Sequence, residues 1–506
     1  MMKLYIFVIF QIFFGISAVA QQSFEFTYGT NDDEELFDGI QDSEGNFILC
    51  GRIGNYMQEY NPLIIKVFPD GTYISRRFPS NDTLGYFTLV TQTPDGNYLF
   101  FGKSSTTDYH EYNYLRVVKT DSDLNTIFQK HYFIENSLYH NCNLHQIYFD
   151  PDSNYIVAGS LSYKDTGTEF GDLWMIKFNI DGDTLMTKTP QHKPWTSQWA
   201  QELTSVPATG EYMVIGGSFD SYTSDVELFR MDSLFNKTGF TNVPKQYPNK
   251  YIRGIEASSD IWLNDTVFLL STKAKDTVGK RVDDCSLGVF AVDTAGTILK
   301  QLIVGKPDTS DYPAYQNSMA TVNDTTIYIG GYVSHLAFFP ERPSLIELYL
   351  IDTALNLLGY KQYGGDAMYW LNGIIPASDG GCLLYAMRYD YLVNNNERDV
   401  HIIKMQREDM ELITKISQTN DNNTDILAFP NPAKEQINIP LSGMLKQSAR
   451  ILVFKQDGRK VFDKQIEGPG NLISLGITNL SEGLYIYKVQ QNDQVIQRGK
   501  FLKGSF

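Results

Sequence analysis

A short motif recurs through most of this chain, and its spacing constrains the fold more than any other feature. The first copy, Gly-Asn-Phe-Ile-Leu-Cys-Gly, runs from Gly45 to Gly51. Further copies end in a small residue at Gly102, Gly159, Gly216, Ser271, Gly330 and Ala386. Successive steps are 51, 57, 57, 55, 59 and 56 residues. Seven similar units in series are typical of an architecture in which neighbouring units stack to bury their apolar faces.

Each unit contains about four short apolar runs. A second run follows the first marker, for example Ile64 to Val67 and Ile402 to Met405. Turn residues such as Asp70-Gly71 then lead to a further run, and one more run precedes the first marker. Four antiparallel strands in each of seven units predict an all-β fold, a seven-bladed β-propeller over residues 21–417. A pair of β-sandwich domains is the alternative, although a sandwich does not require the motif to recur at a regular spacing.

Two features of the repeats bear on closure and function. Phe24 to Gly29 resembles the fourth strand of the other units, and we expect it to complete the seventh unit. The links between second and third strands, such as 52–62, 160–172 and 387–398, are predicted to be long and irregular. Long loops on one side of a rigid scaffold are a usual place for binding.

Composition excludes some classes of partner and covalent framework. The net charge of −17 and the pI of about 4.9 disfavour nucleic acid, since no basic stripe reverses them locally. Four cysteines, Cys50, Cys142, Cys285 and Cys382, are too few to staple a chain of 506 residues. We therefore favour free thiols over disulfides, although an exported protein could form them.

The N-terminus carries a predicted export signal. Residues 1–20 carry a single basic residue, Lys3, near the start, then an apolar run, and then Ser17-Ala18-Val19-Ala20. A basic start, an apolar centre and small residues at the cleavage position are typical of a secretory signal peptide. No later run approaches the ~18 apolar residues that a membrane-spanning helix needs. We therefore expect an exported protein without a transmembrane segment.

A different module follows the repeats. The polar segment 418–427 is predicted to be a linker, and residues 428–506 contain six short apolar runs separated by turns. This pattern predicts a small C-terminal β-sandwich.

The C-terminal module resembles the type A sorting domain of cargo exported by the type IX secretion system of Bacteroidota. The resemblance is carried by residues of four ordered motifs, which include Pro430, Asn431, Pro432, Gly458, Gly483, Tyr485, Lys500 and Lys503. It implies recognition by the secretion translocon and removal by a sortase-like peptidase. It also implies a product that is either released or attached at the outer-membrane surface.

Motifs for catalysis and metal binding are weak. The chain has no Gly-x-Ser-x-Gly elbow, His-Glu-x-x-His pair or P-loop, so no catalytic residue, metal or cofactor is assigned. His140, Cys142 and His145 are capable ligands, but their segment is predicted to be a polar connecting loop. Carboxylates near a central channel leave a secreted hydrolase of polysaccharide or peptide as the alternative function.

Aromatic residues in the links are the candidate binding residues. Aromatic rings beside polar and charged groups suit a glycan or a protein partner. The candidates are Tyr56, Tyr60, Tyr109, Tyr163, Tyr222, Trp195, Trp199, Trp370, Arg388, Tyr389 and Tyr391. Packing within the scaffold is the competing explanation for these rings, since Tyr and Phe are abundant throughout the chain.

Overall fold

The computed structural model describes residues 22–55, 60–78, 84–105, 114–134, 139–165, 168–190, 197–220, 223–243, 246–247, 250–258, 261–276, 285–305, 309–333, 341–393, 397–412, 428, 432–445, 448–455, 458–466, 470–491 and 494–504. The predicted signal peptide and the predicted linker lie outside these residues. Contacts divide the chain into two units, Met1–Thr414 and Lys415–Phe506. The regular secondary structure of the described residues is β-strand apart from a 3-10 turn at Arg407–Asp409, so the all-β prediction is confirmed. They include no helix that could span a membrane.

The strands of the first unit are short and follow one another closely. They are β1 (Phe24–Tyr28), β2 (Asp33–Gln41), β3 (Phe47–Gly54), β4 (Tyr60–Val67), β5 (Tyr73–Arg77), β6 (Leu84–Gln92), β7 (Tyr98–Ser105), β8 (Tyr114–Thr120), β9 (Thr126–Phe133), β10 (Tyr139–Phe149), β11 (Tyr155–Asp165), β12 (Thr168–Phe178), β13 (Thr184–Lys188), β14 (Ser197–Ser205), β15 (Tyr212–Asp220), β16 (Thr223–Met231), β17 (Lys237–Val243), β18 (Gln246–Tyr247), β19 (Lys250–Ser258), β20 (Trp262–Asn264), β21 (Val267–Asp276), β22 (Ser286–Asp293), β23 (Ile298–Val304), β24 (Asp311–Pro313), β25 (Met319–Asn323), β26 (Thr326–Val333), β27 (Leu345–Asp352), β28 (Leu357–Gly364), β29 (Met368–Pro376), β30 (Cys382–Tyr389), β31 (Asp399–Met405) and β32 (Glu411–Leu412).

The described strands of this unit form seven antiparallel sheets, which we number along the chain. Sheets 1 to 4 each pair four consecutive strands in order, β2–β5, β6–β9, β10–β13 and β14–β17. Sheet 5 contains β18–β23, and sheet 6 contains β24–β28 with β32. Sheet 7 contains β29–β31, and β1 supplies its fourth strand.

Strand pairing holds both ends of this unit. Phe24 pairs with Lys404 and Tyr28 with Val400, which confirms the prediction that the N-terminal strand completes the last unit. At the other end, Leu412 of β32 pairs with Gly359 of β28 in sheet 6. Pairing covers two sheet edges that would otherwise offer unsatisfied backbone groups.

The sheets stack in a closed order. Each sheet packs against a strand near the start of the next sheet. β2 contacts β6, β6 contacts β10, β10 contacts β14, and β14 contacts β19. β24 contacts β21 and β22, while β29 contacts both β26 and β2. An apolar cluster of buried side chains lies between each pair of neighbouring sheets, including sheets 7 and 1.

Burial explains the continuous apolar runs of the repeat markers. Every side chain of β4 and β7 is buried, because second and third strands are covered on both faces. The fourth strands β5 and β9 are largely exposed. Hydrophobic runs without alternation are the expected sequence of strands covered on both faces.

A lysine near the end of several third strands ties the strand to the preceding turn. Lys119 bonds to Asp95 at 2.8 Å, Lys177 to Asp150 at 2.6 Å, and Lys404 to Asp379 at 3.0 Å. The aspartates begin or lie in the turns between the first and second strands. The recurring Lys of the second marker is therefore a structural residue.

One predicted loop is a strand pair. The link 160–172 was expected to be irregular, but β11 and β12 pair without interruption from Tyr155 and Phe178 to Asp165 and Thr168. Ser160 and Ser162 are buried, so the polar sequence here reflects strands with small polar side chains.

The described residues of the second unit form six strands in two sheets. They are β33 (Gln436–Leu445), β34 (Ala449–Lys455), β35 (Lys460–Ile466), β36 (Gly470–Gly476), β37 (Gly483–Gln491) and β38 (Gln494–Lys503). β33 pairs with β36, and the second sheet has the order β35-β34-β37-β38. Side chains from both sheets, such as Ile439, Ile473, Val453 and Tyr487, share one apolar cluster.

Candidate binding site

A β-bulge occurs in the first strand of at least five sheets. In sheet 1, Leu36 pairs with Gly51 and Asp38 with Cys50, so Phe37 is an extra residue on β2. The equivalent extra residues in the other four sheets are Thr88, His145, Gln201 and Asn372.

The bulge explains the recurring glycine of the repeat. A Cβ on Gly51 would overlap the carbonyl oxygen of Glu35, and a Cβ on Gly102 would overlap that of Tyr86. The same holds for Gly159 and Asn143. The first strand approaches the second too closely at the bulge for a side chain, which is a recognised use of glycine.

An aromatic and charged cluster lies beside the bulge of sheet 1. The Arg52 guanidinium is 4.1 Å from the centre of the Tyr60 ring and within 5.7 Å of Phe37 and Tyr86. Its Nη2 is 2.5 Å from Oε2 of Glu35. Burial alone would lower the pKa of Arg52, but the Glu35 carboxylate outweighs burial and raises it.

This cluster continues into sheets 2 and 3. The Lys103 Nζ lies 5.0 Å from the centre of the Tyr86 ring and donates a 2.6 Å hydrogen bond to Oδ1 of Asn143. Tyr86 and Asn143 hold equivalent positions in their sheets, two residues before the extra residue of the bulge. Glu35, Trp199 and Trp370 hold the same position in sheets 1, 4 and 7.

A second cluster is built around Trp370. The Tyr332 ring stacks on Trp370 at 5.6 Å and 25°, and Tyr315 meets it edge-on at 6.2 Å. Lys273 lies 3.5 Å from the centre of the Tyr312 ring, which in turn contacts Tyr332. Tyr315 is 41% exposed, so this cluster presents an aromatic surface to solvent.

Tyr315 also links distant sheets. Its carbonyl accepts a 3.0 Å hydrogen bond from Nε2 of Gln201, the extra residue of the sheet 4 bulge. Its backbone N–H donates to the carbonyl of Leu371 in sheet 7. The segment containing Tyr315 is therefore fixed by the first strands of two other sheets.

Arg388 belongs to a polar group in sheet 7. Its Nη2 lies 3.0 Å from Asp366 and 3.3 Å from Asp390, and its Nε donates to the Tyr369 hydroxyl at 3.2 Å. Burial acts to raise the pKa of Asp366, but hydrogen bonds from Tyr369 and Arg388 outweigh it and lower that pKa. Arg388 is thus held in a fixed position with polar partners around it.

The other candidate residues divide by exposure. Tyr60, Tyr163 and Tyr389 are buried, and Tyr163 stacks on Phe170 at 5.7 Å, which favours packing for these three. Tyr391 is partly exposed. Trp199 lies on β14 opposite Gly217. Four candidates lie outside the described residues: Tyr56, Tyr109, Trp195 and Tyr222.

Two carboxyl groups of β2 have raised pKa values. Burial raises the pKa of Asp38 to about 7 although Val90 N and Asn317 Nδ2 donate to it at 2.9 and 3.3 Å. Burial raises the pKa of Glu34 to about 8, and its Oε2 has no hydrogen-bond partner among the described residues. Asp38 thereby joins sheets 1, 2 and 6.

The predicted loop at His140, Cys142 and His145 is wrong, since all three lie on β10, the first strand of sheet 3. Cys142 is buried, and burial lowers the pKa of His145 to about 4. The described residues contain no group of three or more His, Cys, Asp or Glu placed to hold a metal ion. The four cysteines are buried thiols.

The sorting-motif residues of the second unit are mostly structural. Gly458 and Gly483 have positive φ, and Tyr485 is buried and donates a 2.7 Å hydrogen bond to the Ser481 carbonyl. Lys503 Nζ donates to the Lys434 carbonyl. Lys500 and Pro432 are exposed, while Pro430 and Asn431 lie outside the described residues.

Backbone hydrogen bonds join the beginning and the end of this unit. Ala433 N donates to the Leu502 carbonyl at 2.8 Å, and Gly504 N donates to the Ala433 carbonyl at 3.1 Å. The two ends form an isolated parallel bridge between Ala433 and Lys503.

Residues 427–503 match the family described as the secretion system C-terminal sorting domain. The second unit is therefore a sorting domain, and the chain is cargo of the type IX secretion system. A sorting domain of this kind implies interaction with that secretion system and export out of the cell.

The similarity to solved structures is distant. A mutant of puromycin hydrolase complexed with PGG is 10% identical with a TM-score of 0.44, and the match covers 79% of this chain and 58% of that one. The β-propeller domain of the Trilobed protease from Pyrococcus furiosus is 9% identical with a TM-score of 0.38, covering 77% and 96%. A fungal alcohol oxidase in complex with copper is 10% identical with a TM-score of 0.43, covering 95% and 98%. No curated protein matched the sequence.

Proposed function

We propose that sheets 1 to 7 are the blades of a seven-bladed β-propeller and that the second unit is a small β-sandwich. The closed order of sheet contacts, with an apolar cluster between each neighbouring pair, supports the propeller. The shared core of two sheets supports the sandwich. In this proposal residues 1–20 are a signal peptide, 21–417 the propeller, 418–427 the linker and 428–506 the sorting domain.

We further propose that the exported propeller binds a glycan or a protein through the end of the sheets where second strands join third strands. The observation that carries this proposal is the solvent-facing ring of Tyr315 beside the partly buried Trp370. β24 pairs with the last residues of β26, next to that link, so Tyr315 lies near this end. Aromatic rings held rigidly beside hydrogen-bonding groups suit sugar rings and protein hot spots.

The proposal is tested with the chain that lacks the predicted signal peptide, residues 21–506, on a glycan array and in pull-downs from cell-surface fractions. We expect Tyr315→Ala and Trp370→Ala to weaken whichever interaction is found. Phe149→Ala is the matched control, because Phe149 is a comparably exposed ring, 44%, at the opposite end of a first strand. Equal loss in all three variants, or binding that none of them changes, contradicts the proposed site.

A secreted hydrolase is the second candidate, and the raised pKa values of Glu34 and Asp38 favour it, because a protonated carboxyl at neutral pH can act as a general acid. Both side chains are closed off from solvent, which weighs toward a structural role. Hydrolysis of polysaccharide or peptide substrates that Glu34→Gln abolishes, in a protein of unchanged thermal stability, would support the hydrolase. Whether the mature protein is released or attached at the surface is decided by fractionating the producing cells.

A further inference from the structure

The sheet β35-β34-β37-β38 of the sorting domain has two different sides. Ile451, Val453, Tyr485, Tyr487 and Phe501 point to the shared core and are buried. The residues between them point the other way and are partly or fully exposed. We call this second side the outer face.

The centre of the outer face is apolar. Phe454 pairs with Ile486, and Leu484 pairs with Leu502. Leu484 is 36% exposed and Leu502 is 42% exposed. Leu452 completes the row next to Phe454. Branched and aromatic side chains on an exposed sheet face are costly unless a partner covers them.

Cations lie at one end of this centre and beside Ile486. Lys488 pairs with Arg498, and Lys500 pairs with Ile486. The Lys488 Nζ lies 5.4 Å from the centre of the Phe454 ring. The β37 and β38 strands carry no Asp or Glu on this face.

The acidic residue of the outer face, Asp463, lies on the edge strand β35. Arg450 and Lys460 both bond to it, at 2.7 Å, and these contacts lower its pKa to about 2. The whole segment 428–506 has eleven Lys and Arg against six Asp and Glu, in a chain whose net charge is −17. The positive charge is therefore a local property of the sorting domain.

Tyr485 faces the core, so its side chain cannot be recognised without unfolding. Lys503 is directed to the Lys434 carbonyl within the unit. Lys500 differs, because it lies on the outer face.

We propose that the β37–β38 half of the outer face is the surface by which the secretion system holds this cargo. Its partner is a protein surface with an apolar patch and acidic residues at one end of that patch. These would match Leu484, Ile486 and Leu502 and the neighbouring Lys488, Arg498 and Lys500. Complementary charge accelerates and orients such an encounter, while the apolar centre supplies affinity.

The test uses the full chain expressed in a bacterium with a type IX secretion system. The variant Lys488→Glu/Lys500→Glu reverses charge on the outer face. Its matched control, Lys464→Glu/Lys434→Glu, makes the same change in net charge at exposed positions off that face, since Lys464 pairs with core-facing Ile451. We expect export of the outer-face variant to fall by on the order of tenfold, with cargo retained in the periplasm, and export of the control to stay normal.

Two further measurements separate recognition from misfolding and from lipid binding. Thermal unfolding of the purified full chains is compared, and the milder Lys488→Gln/Lys500→Gln is expected to unfold like the wild type yet to be exported less. Equal export of the outer-face variant and its control overturns the proposal. The proposal is also overturned if an outer-face variant is exported normally but no longer binds vesicles of anionic phospholipid or lipopolysaccharide. The outer face would then be a lipid-binding surface.

Discussion

At the scale of single residues, the recurring glycine is explained by the backbone in front of it. Gly51→Ala places a Cβ against the carbonyl of Glu35, and the bulge leaves no room for it to move. We expect a loss of about 1–3 kcal/mol in the free energy of unfolding, typical of overpacking. The measurement is urea unfolding of the mature protein. Gly359→Ala is the control, since a Cβ there meets its neighbours at ordinary contact distances of 3.4 Å or more, and a loss of equal size would refute this explanation.

The lysine of the second marker makes a different kind of contact. Lys404 is buried, and its Nζ lies 3.1 and 3.0 Å from the two oxygens of Asp379. Lys404→Met leaves that carboxylate largely covered and without its cation, so we expect a loss of about 3–5 kcal/mol, seen in thermal or urea unfolding. Lys130→Met removes an ion pair with the exposed Asp183 and should change stability little. If the two substitutions lower stability equally, burial does not decide how much an ion pair contributes to the free energy of unfolding.

At the scale of elements, β2 carries a pH dependence of its own. A carboxyl whose pKa is higher in the folded chain than in the unfolded chain binds its proton more tightly when folded, so stability falls as pH rises through that range. With pKa values of about 7 for Asp38 and about 8 for Glu34, the fall should continue to about pH 8. Each group contributes at most about 1.4 kcal/mol per pH unit.

Histidines with lowered pKa values act in the opposite sense, but only up to the unfolded histidine pKa of about 6.5. Between pH 6.5 and 8 the carboxyls of Asp38 and Glu34 therefore contribute more than the histidines to the change of stability with pH. Urea unfolding in that window should show decreasing stability for the wild type and a flatter profile for Glu34→Gln/Asp38→Asn. Parallel profiles would contradict the raised pKa values.

The N-terminal strand β1 is the element that joins the two ends of the first unit. Phe26 stacks on Tyr73 of sheet 1 at 4.7 Å, while the β1 backbone pairs with β31 of sheet 7. Deleting residues 22–28 uncovers the β31 edge and an apolar surface, so we expect a markedly lower melting temperature and concentration-dependent aggregation. Light scattering during thermal unfolding is the measurement. A deletion variant as stable and monomeric as the wild type would show that β1 is dispensable.

The sequence predicted some of these elements and not others. Second and third strands are covered on both faces, so their sequences are continuous apolar runs. Such runs recur at a regular spacing and can be recognised from sequence alone. The bulge was not predicted, because its extra residues Phe37, Thr88, His145, Gln201 and Asn372 share no side-chain chemistry. The small residue that ends each marker is its trace, but without the structure that residue indicates only the repeat. Tyr315 was missed for a related reason, since it falls between two short strands where the pattern of the unit is interrupted. Part of β10 was predicted to be a loop because the first strands of neighbouring sheets contact each other through polar side chains, which give a strand a loop-like sequence.

At the scale of the whole molecule, the chain consists of two units with separate cores and opposite charge. Each apolar cluster belongs to one unit, and the sorting domain is basic while the rest of the chain is strongly acidic. The fold of the first unit therefore does not depend on the core of the second. The sorting motif could be identified from sequence because its glycines with positive φ and its core tyrosines serve the fold.

Deleting residues 428–506 tests this division. The truncated chain should unfold at the temperature of the first unit in the full chain, because strand pairing at β1 and β32 closes that unit without the sorting domain. The same deletion should abolish export, since the region matched by the sorting-domain family is removed. Cell fractionation and calorimetry measure the two outcomes, with the full chain as the reference. Truncated protein found in the medium would contradict the export role, and a truncated chain that fails to fold would contradict the independence of the two cores.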